Sequence, residues 1–131
     1  MKVGLIGVGL MNGSLALDLK SAHPSVAIYG VSRRVSTLAN AKQLGLIDYQ
    51  ATINDMRDMD FVSVAIPVTA TVDILPSLLD SVGSNTLVID MGSTKTAICE
   101  SVSKHPNREQ FLACHPIAGT EFSGPEAAIH N

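Results

Sequence analysis

Four short stretches of this sequence carry residue types that could do chemistry, and each follows an apolar run. The first is Gly7-Val8-Gly9-Leu10-Met11-Asn12-Gly13-Ser14. A G-x-G turn between a strand and a helix lets backbone approach a pyrophosphate, while the helix N-terminus offers N–H groups and a partial positive charge. Gly7, Gly9, Leu10 and Met11 are therefore candidate cofactor-binding residues. Asn12 stands where the third glycine of that fingerprint permits close helix–strand packing, so the helix is expected slightly farther from its strand. The second stretch is Gly30-Val31-Ser32-Arg33-Arg34. An acidic residue here would bind a ribose 2′-hydroxyl and repel a 2′-phosphate; a hydroxyl and two guanidinium groups would attract that phosphate. Ser32, Arg33 and Arg34 thus point to NADP in preference to NAD, and Arg33 could also stack on adenine.

The third and fourth stretches are Asp90-Met91-Gly92-Ser93-Thr94-Lys95 and Cys114-His115-Pro116-Ile117-Ala118-Gly119-Thr120-Glu121-Phe122-Ser123-Gly124. Taken singly, Ser93 reads as a helix N-cap, and a lone histidine is more often structural than catalytic. Two polar loops converging beside a dinucleotide site read differently. An imidazole titrates near neutral pH and can accept a proton within hydrogen-bond reach, which makes His115 a candidate general base.

These stretches need elements to position them. Apolar, β-rich runs at 3–6, 26–29, 61–66, 86–90 and 110–113, with a shorter one near 49–51, alternate with helical periods. Leu10, Leu15, Ala16 and Leu19 can share one helix face. Further helices are expected over 37–44, 71–82 and 94–103, and another starts at Pro125. Near-continuous apolar strands separated by helices indicate βαβ units and a parallel sheet covered on both faces. The expected fold is α/β, a doubly wound parallel sheet of the Rossmann dinucleotide-binding type. Its carboxyl edge, where open sheets of this kind bind ligands, carries all four stretches. Ala65, Ile66 and Pro67, ending the fourth run, complete the cofactor-binding candidates. The whole chain, 1–131, reads as one dinucleotide-binding domain of a longer protein.

Composition agrees. Of 131 residues, 46% are apolar and 16% charged, against about 25% charged in an average domain, which excludes intrinsic disorder. With 9 Lys+Arg against 12 Asp+Glu there is no basic excess for nucleic acid. The two cysteines match neither a disulfide framework nor a zinc site, so a reducing, cytoplasmic setting is expected. No apolar stretch approaches the ~20 residues of a membrane span.

In combination, Gly7-x-Gly9-Leu10-x-x-Gly13-Ser14-Leu15-Ala16, Asp90-x-Gly92-Ser93-x-Lys95 and His115-Pro116-Ile117-Ala118-Gly119-Thr120-Glu121-x-Ser123-Gly124 resemble the prephenate/arogenate dehydrogenase family of tyrosine biosynthesis. The likeness runs along essentially the whole chain, and Asn12 departs from the family's usual glycine. The resemblance implies oxidative decarboxylation of prephenate to 4-hydroxyphenylpyruvate or of arogenate to tyrosine. Hydride passes to the nicotinamide of NADP or NAD, and aromatisation supplies driving force without a metal. It implies that His115 takes the hydroxyl proton and that Ser93 bonds the same hydroxyl or orients the imidazole. Glu121 is implied as an acidic residue at the pocket entrance, with Lys95 adding positive potential. It further implies a helical C-terminal domain that closes over the small-molecule substrate and pairs subunits into a homodimer. Two rivals compete with this reading: a β-hydroxyacid-type nicotinamide dehydrogenase, which begins with a similar half, and a non-catalytic dinucleotide-binding module.

Overall fold

The computed structural model describes residues 1–117 and 120–130. Six strands form one sheet: β1 (Lys2–Ile6), β2 (Ala27–Val31), β3 (Tyr49–Gln50), β4 (Phe61–Val64), β5 (Leu87–Asp90) and β6 (Phe111–Ala113). Their order is β3-β2-β1-β4-β5-β6 and every pairing is parallel. This is the doubly wound order, with its switch point between β1 and β4. Helices α1 (Leu10–Ala22) and α2 (Val35–Gln43) cover one face; α3 (Val68–Ser81) and α4 (Thr96–Ser101) cover the other.

The apolar runs become strands because both faces bury them. Val3, Leu5 and Ile28 pack under Ala16 of α1 and Leu38 and Ala41 of α2. Val62, Val64 and Val88 pack under Leu75, Leu78 and Leu79 of α3 and Ile98 of α4. At ~25 cal/mol per Å² of apolar surface, each such Val, Leu or Ile side chain contributes about 1.5–3 kcal/mol. No helix among the described residues is long and apolar enough to cross a membrane.

Several boundaries differ from expectation. The fourth strand stops at Val64, which leaves Ala65 and Ile66 in the following loop. Helix α3 starts at Val68, directly after Pro67, whose φ of −51° already suits a helix start. The buried Thr71 hydroxyl bonds back to the carbonyls of Ile66 and Pro67. Helix α4 is shorter than 94–103, and Lys95, not Ser93, occupies its N-cap position. The final segment makes one 3-10 turn, Pro125–Ala127, in place of a continuing helix. Its backbone is taken up elsewhere: the Ile129 N–H donates to Ser14 Oγ at 3.0 Å.

Candidate active site

The loop after β1 is built by one glycine that nothing else could replace. Gly7 has φ +83°, and a Cβ there would lie 2.4 Å from the Ala65 carbonyl oxygen. That turn aims Gly9 at the start of α1, where it serves as N-cap with no side-chain cap, and the first turn holds no acidic residue. The leading N–H groups of α1 are thus left for an outside acceptor. A Cβ on Gly9 would meet nothing within 4 Å, so the backbone there faces open space. A bare helix N-terminus opening on such space fits a pyrophosphate.

That space is part of a cleft of about 460 Å³ walled by residues 9–11, 65–68, 91–93 and 122–124. The cleft brings together Gly9, Leu10 and Met11, then Ala65, Ile66 and Pro67, and finally Ser93 from the loop after β5. It therefore gathers most of the expected cofactor residues and one of the expected catalytic residues. Its walls are largely apolar, with no charged side chain among the lining residues. Gly7 shapes the turn from beneath. Met91 and Phe122 also line the cleft; neither was expected, because an apolar residue in a polar loop carries no signal of its own.

The second-strand loop lies beside the turn, since the Gly7 N–H donates to the Val31 carbonyl at 2.9 Å. Ser32 Oγ accepts the Arg34 N–H at 3.2 Å and so shapes the entry to α2. Arg33 and Arg34 are exposed, and neither forms an ion pair among the described residues. The two guanidinium groups stand at the carboxyl end of β2, where a ribose of a bound dinucleotide would lie.

His115 and Glu121 are both exposed and neither is on the cleft wall. Ala118 and Gly119 of the same stretch lie outside the described residues. What fixes His115 is the residue before it. The fully buried Asp90 carboxylate accepts the Gly92 N–H at 2.9 Å, the Cys114 N–H at 3.3 Å and the Lys95 ammonium. Lys95 Nζ also donates to the Cys114 carbonyl at 2.5 Å. One ion pair thus ties the loop after β5 to the loop after β6. Lys95, expected to lend its charge to the pocket, is spent on this tie. Burial pushes the Cys114 thiol above its ordinary pKa, and the Asp90 charge adds to that effect while Lys95 opposes it.

Asn12 is the other residue whose role sequence alone did not reveal. Its side chain is completely buried between α1 and the sheet. Far from merely holding the helix off, its amide Nδ2 donates to Gly7 O at 2.8 Å, Ser63 O at 3.1 Å and Ile6 O at 3.3 Å. The next residue, Gly13, is crowded on another side, by the final segment, where a Cβ would lie 2.7 Å from Ala128 Cβ.

The chain matches, over residues 15–131, the family model described as the nucleotide-binding domain of prephenate dehydrogenase. It is 36% identical over 128 residues to a prephenate dehydrogenase of Bacillus subtilis, covering 95% of this chain and 34% of that protein. Among solved structures it resembles the Aquifex aeolicus prephenate dehydrogenase in complex with hydroxyphenyl propionate and NAD+, at 32% identity and a TM-score of 0.87. That match covers 98% of this chain and 46% of the other. A Synechocystis arogenate dehydrogenase aligns with the same TM-score at 30% identity, covering 99% of this chain and 46% of that one. The chain therefore spans a third to a half of these relatives.

Proposed function

The chain belongs to the prephenate dehydrogenase nucleotide-binding family, and from that premise we propose that it is the cofactor-binding part of an enzyme that oxidises and decarboxylates prephenate or arogenate. The observation that carries this reading is the single cleft on which the glycine loop, residues 65–67 and Ser93 meet. Gly9 and the uncapped start of α1 would hold the pyrophosphate, and residues 65–67 the nicotinamide half. When bound, the nicotinamide supplies the hydride acceptor.

The protein's own residues then have two tasks. The ring nitrogen of His115 accepts the proton of the substrate's ring hydroxyl as hydride leaves the same carbon. The carboxylate C–C bond breaks, its electron pair enters the ring, CO2 departs, and the His115 imidazolium returns its proton to the phenolate oxygen of the aromatic product. Ser93 Oγ hydrogen-bonds the hydroxyl or orients the imidazole, and Glu121 stands at the entrance. The Asp90–Lys95 tie supports this pairing because it anchors the residues adjoining His115 and Ser93 to one buried carboxylate. Exposed Ile117 and Phe122, at 99% and 66%, support a covering helical domain in the longer protein, through which two subunits would pair.

For the cofactor, Ser32, Arg33 and Arg34 support NADP. A charge-assisted contact to the 2′-phosphate contributes about 1.5–3 kcal/mol, roughly a tenfold to hundredfold preference. Calorimetric titration of the chain with NADP+ and NAD+ tests both levels of the reading. Saturable binding of either dinucleotide is expected, with NADP+ the tighter; equal affinities or tighter NAD+ would overturn the preference.

A further inference from the structure

We infer that Asn12 and Ser63 form a positioning pair that holds the glycine turn in its dinucleotide-binding shape, with Asn12 acting from the position of the fingerprint's third glycine. The inference rests on the dinucleotide-binding reading above. Both side chains are fully buried, and they lie 51 residues apart in sequence. Ser63 Oγ donates to Asn12 Oδ1 at 2.6 Å, while Asn12 Nδ2 donates to the Ser63 carbonyl at 3.1 Å. The pair is thus closed on itself, and the remaining donor capacity of Asn12 goes to the Gly7 carbonyl at 2.8 Å and more weakly to Ile6 O. No buried side-chain nitrogen or oxygen among the described residues is left without a partner.

The placement matters more than the count. Gly7 is the residue that makes the turn, at φ +83°, and a Cβ on it would run into the Ala65 carbonyl. Ser63 lies two residues before Ala65 on β4. Asn12 sits in the first turn of α1, whose N-cap Gly9 and leading residues Leu10 and Met11 line the cleft. One amide therefore bolts together three parts that must agree for a dinucleotide to fit: the turn, the helix start and the strand leading into residues 65–67. A fully satisfied buried network of this kind specifies one arrangement, whereas a half-satisfied one loosens it. A glycine at position 12 could let the helix approach closely but could not donate to the Gly7 carbonyl, and it would strand the Ser63 hydroxyl.

The observed affinity of a loop scales with the fraction of time it holds the competent shape, so a loop competent about a tenth of the time binds about tenfold more weakly. Asn12→Gly, which restores the common fingerprint, is therefore expected to weaken NAD+ and NADP+ alike by about tenfold. Ser63→Ala, which keeps the Asn12–Gly7 bond, is expected to cost less. The double variant should be no weaker than Asn12→Gly alone, because the two side chains act as one unit. Calorimetric titration of the chain well below each variant's melting temperature reads these values, with circular dichroism checking that each is folded. If Asn12→Gly does not fold, the graded loss in Ser63→Ala alone carries the test, and unchanged affinity there overturns the inference. Should Asn12→Gly fold and bind both dinucleotides as tightly as the wild type, even with a lowered Tm, the pair is merely structural and the inference fails while the function stands. A wild-type chain that binds neither dinucleotide overturns both.

Discussion

His115 is exposed and its neighbour Cys114 partly buried, and each yields an outcome that can be measured. His115→Asn keeps a polar side chain of similar reach but cannot accept the proton. In the full-length enzyme kcat is expected to fall by about 10²–10⁴, the usual range for a general base. Cofactor affinity should stay near wild type, since His115 is not on the cleft wall. A variant with wild-type kcat in steady-state assays would remove the residue from the mechanism. Cys114, its thiol pushed up by burial and then by Asp90, is expected to alkylate more slowly with iodoacetamide at neutral pH than an exposed cysteine. The sign for stability follows from the raised value. The folded state holds the proton more tightly, so the contribution is complete below the unfolded thiol's pKa and is lost as pH rises through the folded one. In urea titrations the stability difference between wild type and Cys114→Ser should therefore be constant at acidic and neutral pH and change only on the alkaline side, as wild type loses this contribution.

At the scale of elements, the tie between the loops after β5 and β6 is the feature most exposed to mutation. Asp90→Ala would leave the Lys95 ammonium, 28% exposed, without its partner. Breaking such a pair costs about 3 kcal/mol, and the loops after β5 and β6 should loosen together. Denaturant midpoints measure the first effect; a loss of kcat exceeding any loss of cofactor affinity measures the second. Elements also show what the sequence made legible. The long strands could be read because burial on both faces demands unbroken apolar runs, as in residues 61–64 and 87–90. The ends of α3, α4 and the final segment could not, because side-chain contacts outside the apolar pattern decide them: Thr71 bonds back to Ile66, Lys95 to Asp90 and across 19 residues to Cys114, and Ile129 bonds to Ser14 across 115. The site divides in the same way. Glycine spacing announced the turn and Ser93 its loop, but the partnership of Asn12 with Ser63 crosses 51 residues and has no local signature.

The whole molecule is a nucleotide-binding half with a neutral cleft. Lys95 is committed to Asp90, and no lining residue carries a charge. A substrate with two carboxylates such as prephenate needs cations in a place from which water is excluded. The expectation is that this chain binds dinucleotide saturably yet gives no prephenate- or arogenate-dependent reduction of it; measurable turnover by absorbance at the reduced nicotinamide band would place the substrate site within these residues.

The docking of the last segment on the first helix sets an order of events during synthesis. Gly13 waits for Ala128, and Ser14 for the N–H of Ile129. Domains fold as they emerge, amino end first, so that flank of α1 stays bare until Ile129, 115 residues beyond Ser14, has been made. The sheet can assemble outward from β1 in the meantime, but the helix that follows the glycine turn is closed off only after β6 has formed. A helix begun early is thus completed by a segment made 115 residues later.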